Sequence, residues 1–229
     1  MKFFPQNEKI ELQIDDLLRK IRHLKNGETS ELMSKSGVNY KLNFGVSIIH
    51  LRKLAESVEP SNDLAQRLWY RGIRETMIIA TMVADVETLD LQELEEWGRM
   101  LNTIELAEQM GRNLLAKATL SETVLIDWTR KENLFQCYAS VMAIGWRLRF
   151  NGSSGFKQLE AILPVFRELI KEKVMFRAVS FAMKMAGRFC DDYLDLVKKT
   201  IDEWLNNGIE NERIVAKEVR AELDAFGLL

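Results

Sequence analysis

The sequence predicts an all-α fold, and three observations carry that expectation. Apolar residues recur at a spacing near 3.6 in almost every segment, and no period-two run is long enough to make a strand. The prolines, Pro5, Pro60 and Pro164, leave the pattern unbroken. Short turn signals punctuate it: "KNGETSE" at 25–31, "EPSND" at 59–63, "FNGSSG" at 150–155 and "NNGIENE" at 206–212. Between them the chain accommodates roughly ten to thirteen helices of ordinary globular length.

Taken in order, these segments form candidate helix pairs: 46–57 with 61–71, 73–85 with 90–100, 103–117 with 122–130, and 132–149 with 157–170. Ser61 and Ser121 precede two of them as N-caps. The loose period of about 35 to 45 residues fits paired helices of the HEAT kind, stacked into a solenoid or gathered into a compact orthogonal bundle. The "GSSG" stretch at 152–155 is linker-like but short, so a single domain over 1–229 is expected.

Composition narrows the function. Hydrophobic residues make up 47% and charged residues 29% of 229 positions, an ordinary globular balance. No run reaches the roughly eighteen apolar residues of a membrane span, and the start of the chain has too short an apolar segment for a secretory signal. No membrane association and a cytoplasmic location are the expectation. Cys137 and Cys190 are too few for a disulfide framework or a zinc site, and neither His23 nor His50 stands in a ligand spacing. No metal and no cofactor are therefore expected. A net charge of −2 argues against non-specific coating of nucleic acid, although 32 Lys and Arg can still be gathered on one face.

The common nucleotide, zinc and hydrolase signatures are absent. What stands out is "TIELAEQ", 103–109, where two glutamates interrupt a buried-looking helix. On a regular helix Glu108 shares a face with Ile104, Ala107, Gly111 and Leu115, and Glu105 lies at its edge. An ion pair of Glu108 with Arg112 is the ordinary explanation. In "AVSFAMKMAGR", 178–188, Ala178, Phe181, Ala182 and Met185 make a packing stripe. Lys184 and Arg188 share a second face with Ser180 and Arg177, a short basic ridge that is either solvated or set against phosphates. In "WTRKENLFQCYASVMAIGWRLRF", 128–150, Trp128, Phe135, Val141 and Trp146 look like packing residues, while Arg147 and Arg149 either cap carbonyls, the preferred role, or reach a phosphate.

The order of "NFGVSIIHLRKLAE", "LAQRLWYRGIRETMIIATMVADV", "TIELAEQ", "WTRKENLFQCYAS" and "FRAVSFAMKMAGR" resembles the AlkC/AlkD-type DNA alkylation repair family. The likeness spans roughly residues 40 to 200, its firmest pieces being the "FGV" entry and Leu68, Trp69, Glu75 and Ala80. The resemblance implies a curved α-solenoid of HEAT-like repeats, with 1–40 as N-terminal helices, 41–205 as the repeats and 206–229 as a C-terminal helix. It implies a concave surface that binds double-stranded DNA, and a glycosylase chemistry in which aromatic rings contact the sugar of a cationic alkylated purine. A carboxylate then stabilises the charge that develops as the glycosidic bond breaks.

Carried over residue by residue, the catalytic carboxylate falls on Glu108 and the first aromatic position on Ile104. The second aromatic falls on Phe181, where tryptophan is usual, and the family's arginine position holds Tyr138. Ile104, Tyr138 and Phe181 are thereby the implied substrate contacts, and Arg177, Lys184 and Arg188 the implied DNA contacts. Two functions follow: an alkylpurine glycosylase with a modified pocket, or a non-catalytic HEAT-like protein that binds distorted DNA or a protein partner.

Overall fold

The computed structural model describes residues 4–38 and 40–229. Among them are thirteen α-helices and no strand, as the periodicity predicts; one isolated bridge joins Leu42 and Ile73. By its internal contacts the chain divides into two compact units, Met1–Leu114 and Leu115–Leu229. The "GSSG" stretch is no boundary. It folds as a 3-10 turn, Gly152–Gly155.

The first unit holds α1 (Glu8–His23), α2 (Gly27–Lys35), α3 (Ile48–Glu56), α4 (Asn62–Tyr70), α5 (Arg74–Val83), α6 (Leu91–Arg99) and α7 (Ile104–Gln109). Helix α4 begins where Ser61 accepts a hydrogen bond from the Leu64 amide, as its sequence position predicts. It packs on α5, which also meets α3 and α7. The residues that carry the family resemblance are core residues: Leu68, Trp69, Glu75 and Ala80 have no exposed surface. Trp69 stacks on Trp97 of α6 at 4.4 Å, with the rings nearly parallel. The "FGV" entry is explained by backbone. Gly45 has φ of +71°, and a Cβ there would run into the Asn26 carbonyl.

The second unit holds α8 (Glu122–Trp128), α9 (Leu134–Asn151), α10 (Leu159–Leu169), α11 (Phe176–Phe189), α12 (Asp191–Asn207) and α13 (Glu210–Ala225). Helix α9 is buried along most of its length and packs chiefly on α11, the next but one in the chain, rather than on α10 as the sequence pairing expects. Gly145 is what lets the two helices close: a Cβ there would stand 2.7 Å from the Phe181 ring. Helix α11 in turn packs on α12 and α13. Ser121 does precede α8, but its hydroxyl bonds Thr123 rather than a helix amide. Pro164 lies inside α10, so the Glu160 carbonyl four residues back loses its amide donor; Glu160 is exposed, and water can replace it.

Candidate functional site

Helix α7 carries both glutamates of "TIELAEQ". Thr103 caps it, accepting from the Leu106 amide, while its hydroxyl meets the Tyr40 hydroxyl at 2.7 Å. Glu105 is the structural carboxylate. It takes two hydrogen bonds from the Arg74 guanidinium, at 2.8 and 2.5 Å, and one from Tyr40 at 3.0 Å. The fork-to-carboxylate geometry is the strong, orientation-fixing form of such a pair. Burial, then the charge of Glu105, pushes the Tyr40 hydroxyl far above its ordinary pKa, so it stays protonated and donates.

Arg74 also reaches the Val46 carbonyl and Glu75, each at 2.9 Å. Glu75, wholly buried, accepts from the Phe44 and Val46 amides of the "FGV" entry at 3.2 Å. Glu105 is thereby part of a buried ion-pair network with Arg74 and Glu75.

Glu108 is half-buried on the same short helix, four residues after Ile104, which is 39% exposed. Beyond Gln109 the backbone changes: Met110–Leu115 forms a π-helix. With bonds closing over five residues instead of four, the face expected to unite Glu108 with Gly111 and Leu115 does not continue past Gln109. Asn113 braces this segment, donating to Thr81 at 3.1 Å and to Gln109 at 3.0 Å.

The other implied residues lie in the second unit. Tyr138 has no exposed surface, which corrects its assignment as a substrate contact: a ring packed inside α9's core face cannot touch a ligand. Phe181 is half-buried and tilts against Trp146 at 5.1 Å. Arg177 is exposed in the first turn of α11. The ridge of Ser180, Lys184 and Arg188 exists, but α13 lies along it. Lys184 pairs with Glu218 at 2.6 Å, Ser180 donates to the same carboxylate at 3.0 Å, and Arg188 pairs with Glu222 at 2.6 Å. The two basic charges are thus matched within the unit.

Arg147, expected as a carbonyl cap, is one. Its bonds go not to its own helix but to the carbonyls of Leu115, Ala118 and Leu120. Burial lowers its pKa, and the charge of Glu122 offsets this in part. Burial likewise pushes both thiols up, Cys190 to about 11 with help from Asp192 and Asp191, so neither is a nucleophile at neutral pH. Among the described residues no cluster of His, Cys, Asp or Glu could hold a metal, and no helix is long and apolar enough to cross a membrane.

Sequence reasoning missed the Arg74–Glu105–Tyr40 network and the α13 carboxylates. Glu218 and Glu222, four apart, mirror the spacing of Lys184 and Arg188, a signal that was there to be matched.

The fold and these residues define a class, an all-α protein of HEAT-like helical repeats. A family model described as DNA alkylation repair enzyme matches residues 17–176, and the chain belongs to that family. A solved structure representing "a new family of proteins related to the HEAT-like repeat DNA glycosylases with affinity for branched DNA structures" superposes with a TM-score of 0.78. The match covers 93% of this chain and 95% of that one, at 16% identity. No curated protein matches the sequence.

Proposed function

We propose that the chain is a DNA-binding member of this family that recognises distorted or branched DNA and does not excise bases. The observation that carries this reading is Ile104, partly exposed at the head of α7. An aliphatic side chain there gives no π face to a cationic sugar or base, so a transition state that relies on such a face loses its support. Membership of the repair family supports DNA as the partner, and the likeness to proteins with affinity for branched DNA supports the structural preference. Binding to a four-way junction, a fork and a linear duplex of equal length, compared at low salt, tests it. Tighter binding of the branched forms is expected, and equal or absent binding of all three refutes it.

A second reading, base excision, is favoured by the half-buried carboxylate of Glu108, four residues beyond Ile104 and two before the start of a π-helix, an element frequent at functional sites. Release of N3-methyladenine or N7-methylguanine from duplex DNA, abolished by Glu108→Gln, would establish it. Release that survives that substitution would remove Glu108 from the chemistry.

A further inference from the structure

The C-terminal ends of α9, α11 and α13 bring together rings and guanidinium groups that neither the core nor the proposed activity uses. Phe150 packs on Trp146 at 5.4 Å between ring centres, and the Arg149 guanidinium lies 5.2 Å from that indole. Arg149 also stands 5.6 Å from the Phe189 ring. Arg188 follows, 5.1 Å from Phe189 and 3.5 Å from Phe226. Aromatic and cationic groups therefore alternate across three helix ends, all within the second unit.

The ladder is open to solvent where a core cluster would be closed. Phe150 is 51% exposed and Phe226 55%. Its charges are unequal: Glu222 meets Arg188, whereas Arg149 has no carboxylate partner among the described residues.

We infer that this ladder is a binding surface for unpaired nucleotides, such as the single-stranded arm of a branched DNA. The bases stack on the open faces of Phe150 and Phe226, and Arg149 takes a phosphate. Exposed rings offer a face to any base irrespective of sequence, and interleaved arginines add charge to the stacking. An anionic occupant is the one Arg149 calls for. Protein ligands rich in aliphatic residues would leave that charge unmatched. The inference rests on the DNA-binding reading above and adds the site and the strand state it recognises.

The test uses the full chain and two probes at low salt: a fork with 2-aminopurine in its unpaired arm, and a linear duplex. The expected result is quenching of the 2-aminopurine on binding. Fork affinity falls about tenfold when Phe150→Leu and Phe226→Leu, which keep apolar bulk but remove the π faces, are combined. Duplex affinity is expected to stay unchanged, and Phe150→Trp to keep or raise fork affinity. Arg149→Gln should lower the salt dependence of fork binding by roughly the share of one phosphate.

A thermal midpoint for each variant confirms that it folds. If Phe226→Leu destabilises the chain, Phe150→Leu alone gives the answer. Fork binding that is unquenched, or undiminished by the leucine variants, overturns this inference and leaves the DNA-binding reading standing. No binding of either probe by the wild-type chain overturns both. A wild-type dimer that the leucine variants convert to a monomer, with fork binding unchanged, assigns the ladder to contact between copies and also overturns it.

Discussion

Two ion-pair networks, one in each unit, use the same chemistry, a guanidinium or ammonium with a carboxylate, at different depths. In the first, Arg74 and Glu75 are almost wholly removed from water, and Glu105 keeps only 22% of its side-chain exposure. In the second, the pairs between α11 and α13 lie at a rim, with Glu218 49% exposed. A buried pair is a commitment, because removing one member strands the other in a medium that cannot solvate it. A rim pair is a loan of charge that water or a phosphate can call in.

The difference teaches where the molecule is fixed and where it is available. The network at Glu75 orders the loop entering α3 and the helix carrying Glu108, whereas the pairs at Lys184 and Arg188 can be exchanged for other anions.

The largest expected effect breaks the buried side of this contrast. Glu75→Ala should cost about 3–5 kcal/mol, since Arg74 and the Phe44 and Val46 amides lose an acceptor together. Urea unfolding measures it, and a loss under about 1 kcal/mol would place this pair with the rim pairs instead. Next comes steric commitment in the second unit. Gly145→Ala should cost about 1–3 kcal/mol, because the new methyl meets the Phe181 ring and the Ala182 backbone and α9 must move off α11. The same unfolding measurement tests it.

The rim side should yield little stability and more binding. Glu218→Gln with Glu222→Gln should change stability by less than about 1 kcal/mol. DNA affinity at low salt should rise severalfold as Lys184 and Arg188 are released, and an unchanged affinity would show that the ridge meets no phosphate.

The smallest effect concerns pH. Burial alone would raise the Glu212 carboxyl, but the Arg167 guanidinium and the Ile209 amide outweigh it and hold its pKa below the ordinary carboxylate range. Its stabilisation is therefore complete above the unfolded pKa and drains away as pH falls through the folded one. Thermal midpoints below pH 5 should accordingly drop less steeply in Glu212→Gln than in the wild-type chain.

The fold was legible because helix periodicity is written in every segment, and the family because its motif is made of core residues such as Leu68 and Trp69. The site was legible only in part. Sequence spacing placed Glu108 and Ile104 on one short helix correctly, but it assumed a regular helix beyond Gln109, and nothing in "MGRNLL" announces bonds that close over five residues. Tyr138 failed for a different reason: α9 is buried nearly all round, so one position along it says little about which way a ring faces. A partner distant in sequence, such as Arg74 for Glu105, is set by packing that no local pattern encodes.

Arg147 adds a consequence for how the chain can be cut. Among the described residues its guanidinium donates to three carbonyls of the stretch from Leu115 to Leu120, so that stretch is stitched to α9 of the second unit. A fragment beginning at Ser121 would leave a charged group inside the fold with its acceptors removed. One beginning at Leu115 keeps them. A cut placed before Leu115 therefore keeps the acceptors with the guanidinium they satisfy, and the stretch from Leu115 to Leu120 should resist proteases for as long as α9 stays folded.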